Sequence, residues 1–286
     1  HRHLRVAVDY AGSATAALLA ALVDQLDIEV LAVSRRRSGS ADPAGRTSVE
    51  AVSRLVRSME ADLGVLFDAG AERLTVVDER GSMVPPDVLL TLLAVQACRE
   101  YGPGILAVPL NVTEKVEELV SACGSRVERT KVAPAALMEA AARPETIFAG
   151  DASGGVIFPR FSPSLDAVYA FGKVLELISG GVERLSELAA DVPSSHVVHL
   201  VVPCPWHAKG VVMRLMVEEY RDEEVSLIDG VKVMFGPGEW VQVLPDADDP
   251  LFHVFAEADN AEAAYERARA HADRLEALSA GRAAND

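Results

Sequence analysis

Cysteine is scarce in this sequence: Cys98, Cys123 and Cys204 are the only three in 286 residues, and none sits in a CxxC spacing. That spacing excludes a disulfide framework and a cysteine-based zinc site. It points to a reduced, cytoplasmic protein whose cysteines pack as small hydrophobes. Basic charge is also short, 27 Lys and Arg against 43 Asp and Glu, for a net charge of −16. Nucleic acid and anionic membrane surfaces need a basic footprint, so neither is an expected partner. No apolar run approaches the ~18 residues of a membrane helix. The N-terminus has no signal-peptide pattern, and no Walker or GxGxxG pattern suggests a nucleotide. The first residue is His1, and a strand-like run, "LRVAVD", has begun by Leu4. The chain therefore reads as a piece of a longer polypeptide.

What is present is apolar material, 50% of the residues, enough for two or three cores. Short β-rich runs alternate with amphipathic segments through the first two thirds. "LRVAVD" leads to a helix that Ser13 would cap, then come "IEVLAVS" and an Arg/Ser/Gly-rich loop at 35–47 that includes Arg35-Arg36-Arg37. A helix near 48–60 is followed by two apolar strands around "DAGAER" and a helix from Pro86 to Tyr101, with proline in its first turn. "YGPG" resets the pattern. "GILAVPL" and "RVERTKV" read as strands, Asn111 or Thr113 caps the helix between them, and "TIFAGDASGGVIFPR" reads as a strand pair. Helices at about 164–179 and 181–191 complete this part. Strands feeding helices in this order predict parallel sheets covered on both faces.

After "DVPSS" the pattern changes. "HVVHLVV" and a helix at 205–221 precede three strands, "VSLIDGVKVMF", "WVQVLPD" and "LFHVFAEAD". A final helix opens at Asn260, with Ala261, Ala264, Tyr265, Ala268, Ala272 and Leu275 on one face. The expected fold is α/β: two consecutive α/β/α sandwich domains with mixed, mostly parallel sheets, plus a C-terminal α+β domain. The expected domains are 1–103, 104–192 and 193–286.

Each expected domain carries one polar loop at the end of an apolar strand, where α/β folds place ligands: "DAGAER" (68–73), "AGDASGG" (149–155) and "LPDADDP" (244–250). In the first, two carboxylates and an arginine could hold a metal ion against a phosphate. With their flanks, "ADLGVLF…LTVVDERG" and "DGVKVMFGPGEWVQV", the loops resemble domains two to four of the α-phosphohexomutase superfamily, which includes phosphoglucomutases and phosphomannomutases. The resemblance implies a magnesium loop (D-G-D-G-D-R), a sugar-selecting loop (G-E-x-S-G-H) and a phosphate loop (R-P-S-G-T-E-P).

The loops depart from those patterns at the chemical positions. Asp68 remains, Gly70 replaces the middle carboxylate, Glu72 is one methylene longer, and Ala69 and Ala71 replace both glycines. Mg²⁺ binding is therefore doubtful, and the expectation is a turn held by the Glu72/Arg73 pair, with no cofactor. Ser153 and Gly154 keep the sugar-binding pattern and Asp151 stands one carbon shorter than the family glutamate, so contacts to sugar hydroxyls are expected there, while Gly155 stands where the family has histidine and "TKVAP" (130–134) where it has T-x-V-G. In the third loop Leu244 replaces the arginine, and Asp246 and Asp248 replace the hydroxyl residues. A carboxylate ~4 Å from a phosphate repels it by about 4 kcal/mol at an effective dielectric of 20. Arg73 and Lys209 are the remaining candidates for a phosphate, Lys209 together with Trp206 as a stacking surface. No SHNP-like stretch, the family's phosphoserine loop, occurs in the chain, so no catalytic residue is assigned.

His196 and His199 lie on opposite faces of a strand and suit one metal poorly. Cys204 and His207 lack the third group of a nucleophilic site. The leading expectation is a mutase-like module without mutase chemistry, resembling the C-terminal part of bacterial sugar-1-phosphate nucleotidyltransferases of the mannose-1-phosphate guanylyltransferase type. There it would sense a hexose-1-phosphate or serve assembly, beside an N-terminal nucleotidyltransferase region of the same polypeptide. The alternative is a fragment of an active phosphohexomutase missing its phosphoserine domain. A third reading is a module that forms a homo-oligomer.

Overall fold

A strand buried along nearly its whole length is one covered on both faces, and Leu4–Asp9 (β1) has that character. The computed structural model describes residues 3–11, 16, 19, 23, 25–26, 28–33, 46–180, 184–193 and 195–283. Ser13, Arg35, Arg36, Arg37 and the loop at 35–45 lie outside these residues. β1 pairs in parallel with Ile28–Ala32 (β2) and Leu63–Phe67 (β3), and β3 pairs antiparallel with Leu74–Val77 (β4). The order is β2-β1-β3-β4. Arg46–Met59 (α1) lays Val52 and Val56 against Ala7, Leu66 and Val77.

Pro86–Tyr101 (α2) starts at the residue the sequence predicts, with proline at its first positions. The second sheet holds Ile105–Pro109 (β5), Arg126–Thr130 (β6), Thr146–Gly150 (β7) and Val156–Ile157 (β8) in the order β6-β5-β7-β8. β5 and β7 are parallel, β7 and β8 antiparallel. The helices here are Lys115–Ser121 (α3), Pro134–Ala141 (α4), Ala167–Ser179 (α5) and Leu185–Ala190 (α6). Of the two residues offered as a cap for α3, Thr113 does it, its hydroxyl accepting from the Lys115 N–H at 3.1 Å. Asp166 caps α5 through the Tyr169 N–H at 2.8 Å.

The third sheet is antiparallel, with His196–Pro203 (β9), Glu224–Ser226 (β10), Val231–Gly236 (β11), Glu239–Pro245 (β12) and Leu251–Ala258 (β13) in the order β10-β11-β12-β13-β9. The single strand expected over "VSLIDGVKVMF" is two, because the chain turns at Asp229-Gly230. Gly230 has φ +68°, and a Cβ there would lie 2.1 Å from the Val243 carbonyl oxygen. One sheet face packs Val202, Val241, Val243, Phe252 and Val254 against Trp206–Glu219 (α7) and Ala261–Ala283 (α8). The buried side of α8 runs through Ala264, Ala268, His271, Ala272, Leu275 and Ser279. Ala261 and Tyr265, expected on that side, are exposed. The stripe is centred near Ala268, and Tyr265 falls ~100° of helix rotation away from Ala264.

By spatial clustering the chain divides into two units: His1–Ala107, Leu119–Val127 and Met138–Pro193 form one, and Val108–Glu118, Glu128–Leu137 and Ser194–Asp286 the other. In the second unit the sheet face away from the helices is polar yet buried. Lys232 pairs with Gln242 and Trp240 with Glu257 across the strands, so all four share that face. Lys232 is 3% exposed; its ammonium donates to the Leu110 carbonyl at 2.9 Å and sits 3.8 Å from the Trp240 ring centroid. Glu257 accepts from the Trp240 indole at 2.6 Å, the Glu114 N–H at 3.1 Å and the Thr113 hydroxyl. Arg129 bonds Glu117 and the carbonyls of Pro109, Val112 and Thr113.

Burial, reinforced by the Arg129 charge, pushes the Lys232 ammonium down to about 8 against the pull of Glu114, Glu257 and Glu117. A lysine whose folded pKa lies below its unfolded value binds fewer protons folded than unfolded between the two, so stability rises with pH in that window. The Lys232 contribution to unfolding free energy therefore grows from about pH 8 to 10.5. Urea titrations across that range should show a steeper rise for the parent chain than for Lys232→Met; parallel curves would refute it.

Candidate functional site

β3 delivers Asp68 to the end of a fully buried strand, and β4 resumes at Leu74. Between them Asp68 organises the turn. One carboxylate oxygen accepts the N–H groups of Glu72 at 2.7 Å and Arg73 at 3.0 Å, while the Asp68 carbonyl accepts from Ala71 at 3.1 Å. The Glu72/Arg73 pair expected to hold the turn is 4.0 Å apart and largely solvated, with side chains 55% and 35% exposed. Such a pair contributes little; the Asp68 carboxylate does the holding. Ala71, where the family pattern has glycine, lies at φ +56°, in the left-handed region that is costly for alanine.

The second loop follows β7 and is built the same way. One oxygen of Asp151 accepts from the Ser153 N–H at 2.8 Å, the Ser153 hydroxyl at 2.6 Å and the Gly155 N–H at 3.1 Å. The structure brings this loop against the first, within the first unit. Leu74 N–H donates to the Gly154 carbonyl at 3.0 Å, and Arg73 Nε donates to the Ser153 hydroxyl at 2.9 Å. The α5 start is tied in by Ala167 N–H to Ala71 O at 2.9 Å. Gly154 makes the approach possible: at φ +89°, a Cβ on it would meet the Leu74 oxygen at 2.4 Å. The result is a surface with a guanidinium, a hydroxyl and several carboxylates, suited to a polyhydroxyl ligand carrying one anionic group.

The third loop, in the second unit, is closed on itself. One oxygen of Asp246 accepts the N–H groups of Asp248 at 2.8 Å and Asp249 at 2.7 Å; the other bonds His253 Nε2 at 2.8 Å. The His253 bond, followed by these two N–H groups, holds the Asp246 carboxyl down at about 2. Lys209, a sequence candidate for phosphate, is buried and committed elsewhere: its ammonium donates to the Asp246 carbonyl at 2.6 Å and to that of Asp249. It also lies 3.8 Å from the Trp206 ring centroid. The N–H groups a phosphate would use are answered by a carboxylate of the loop itself.

Cys204 belongs to the third sheet's core and takes a contact from the Ser279 hydroxyl at 3.4 Å, so it is no nucleophile paired with His207. His199 meets His253 rather than His196. Among the described residues no three His, Cys, Asp or Glu side chains converge as metal ligands, and no helix is long and apolar enough to cross a membrane. Sequence reading missed the Lys232, Trp240 and Glu257 cluster; the signal was a lysine and a glutamate each set within an alternating apolar strand.

Two substitutions test the joined loops. Ala71→Gly should raise stability by about 1 kcal/mol by relieving a left-handed alanine. Gly154→Ala should destabilise by about 1–3 kcal/mol and break the Leu74 contact, seen as loss of amide protection at Leu74. Equal stability for both variants would contradict this geometry.

Residues 1–81 match the α/β/α domain II of phosphoglucomutase/phosphomannomutase, and residues 85–196 match its α/β/α domain III. A probable phosphoglucosamine mutase of Methanopyrus kandleri is 30% identical over 269 residues, 92% of this chain and 59% of that protein. The crystal structure of a phosphoglucomutase/phosphomannomutase family protein from Burkholderia thailandensis superposes with a TM-score of 0.79 at 21% identity, covering 95% of this chain and 61% of that one. Aspergillus fumigatus N-acetylphosphoglucosamine mutase, solved with GlcNAc-6P and magnesium, gives 0.64 at 14% identity over 97% and 62%. This chain thus spans about three fifths of the proteins it matches. Through these two α/β/α domains it belongs to the phosphoglucomutase/phosphomannomutase superfamily.

Proposed function

We propose that this chain is the sugar-phosphate-binding part of a phosphohexomutase whose phosphoryl-carrying serine lies in a segment outside it. The joined loops carry this reading: Asp151 and Ser153 offer acceptors to sugar hydroxyls, and Arg73 offers a planar fork to a phosphate. The mutase relatives support it over attachment to a nucleotidyltransferase, the expectation first drawn from the sequence. Transfer of a phosphoryl group through the enzyme needs a nucleophile, and no phosphoserine loop is present in the 286 residues. The part assigned to this chain is to orient the hexose and hold one phosphate.

Magnesium is present in the Aspergillus complex; here, among the described residues, no three acidic, histidine or cysteine side chains converge to hold a metal by themselves. One Asp68 oxygen is taken by two N–H groups, which leaves its second oxygen and Glu72 as a sparse ligand set that needs water and substrate phosphate to fill an octahedral shell. A Cβ at Gly70 would stand 3.4 Å from the Glu72 carboxyl carbon and 3.7 Å from the second Asp68 oxygen. A carboxylate at position 70 would therefore join the other two.

The closed Asp246 loop favours a second reading, a sensing or assembly module without turnover, to which a nucleotidyltransferase partner or self-association would belong. Calorimetry of this chain with glucosamine-1-phosphate, mannose-1-phosphate and glucose-1-phosphate tests both. The expected result is binding insensitive to Mg²⁺ and weakened 10- to 100-fold by Arg73→Ala, the effect of one lost charged hydrogen bond. Silence to millimolar ligand would overturn both ligand-binding readings. Interconversion of hexose 1- and 6-phosphates by the full-length protein supports the mutase; binding without turnover supports the sensor. In Gly70→Asp, added Mg²⁺ should tighten ligand binding; no change there would refute the geometry assigned to position 70.

A further inference from the structure

On the polar face of the third sheet, His199 of β9 and His253 of β13 are diagonal neighbours, because His199 pairs with Phe255 and His253 with Val201. Their ring nitrogens, His199 Nε2 and His253 Nδ1, are 2.9 Å apart. The other nitrogen of His253 is 2.8 Å from the Asp246 carboxylate. His199 lies flat on Phe255, centroids 4.3 Å apart and planes 10° from parallel.

We propose that His199 Nε2 and His253 Nδ1 form a binding site for a divalent transition metal ion of the zinc class, with Asp246 as the positioning residue behind His253. A carboxylate bonded to the far nitrogen of a histidine is the arrangement that fixes the tautomer of metal-binding imidazoles. With the Nε2 proton of His253 pointed at Asp246, Nδ1 carries a lone pair. At a Zn–N distance of about 2.05 Å, two tetrahedral ligand nitrogens are about 3.3 Å apart. The observed 2.9 Å therefore needs a swing of a few tenths of an ångström. His199 can supply it, since its side chain is exposed and its strand ends the sheet order. When the metal enters, the His199 proton shared with His253 moves to His199 Nδ1, so both rings stay neutral and no proton is lost. Two protein ligands leave further positions open to water or an incoming oxygen ligand. Imidazole donors select zinc, nickel or copper over magnesium.

The test is Zn²⁺ calorimetry on the chain with Co²⁺ absorption as a second readout. His199→Gln, at an exposed position, should remove one equivalent of Zn²⁺ with unchanged circular dichroism, and His253→Gln should remove the same equivalent. His196→Gln, on the other face, should leave it. Asp246→Asn should weaken it 10- to 100-fold. The same stoichiometry and affinity in His199→Gln as in the parent would overturn the site. Unchanged affinity in Asp246→Asn would overturn the positioning role.

Discussion

An aspartate that accepts the N–H groups of its own loop shapes all three loops at the ends of β3, β7 and β12. Asp68 takes those of Glu72 and Arg73, Asp151 those of Ser153 and Gly155, and Asp246 those of Asp248 and Asp249. Short polar side chains compete for backbone donors in this way wherever a helix or strand does not claim them. The device is the same in each, but its consequence depends on what else the loop carries. In the first two it props up Arg73 and Ser153 and leaves them at the surface. In the third it uses both carboxylate oxygens and, through Lys209, the carbonyls as well. The molecule is acidic overall, so the local guanidinium of Arg73 matters more for an anionic ligand than net charge does.

Much of the architecture was legible in the sequence, for reasons that differ by element. β3 and β5 are continuous apolar runs, β1 and β7 are interrupted only by Arg5 and Thr146, and such runs read as buried strands. α2 was legible to the residue, because Pro86 marks its first turn and Gly102 follows its last residue. The split between β10 and β11 was written in Asp229-Gly230 but masked by apolar residues on both sides. The outer face of α8 was misread because alanine is apolar without demanding burial, so Ala261 fitted a stripe it does not join.

The site was legible in position and not in internal bonding. "DAGAER" and "GDASGG" stand out as polar loops after apolar strands, yet nothing in their spacing tells that Arg73 reaches Ser153, 80 residues away. Nor does sequence tell a carboxylate that faces a ligand from one that caps its own backbone. The buried face of the third sheet posed the same difficulty. Lys232, Gln242 and Glu257 alternate with apolar residues as a solvated face would, and only the 108–118 segment laid over them turns that face inward. Buried groups of this kind give specificity of packing at a cost in desolvation.

The closure of the third loop also bears on how such a chain changes over generations. Removing the Asp246 carboxylate frees two N–H groups but leaves Lys209 bound to the loop carbonyls, and removing Lys209 leaves the carboxylate in place. Either change alone leaves polar groups of the loop without their protein partners and does not give an open anion cradle. An open anion cradle at this loop therefore requires both changes together, because neither alone releases the loop.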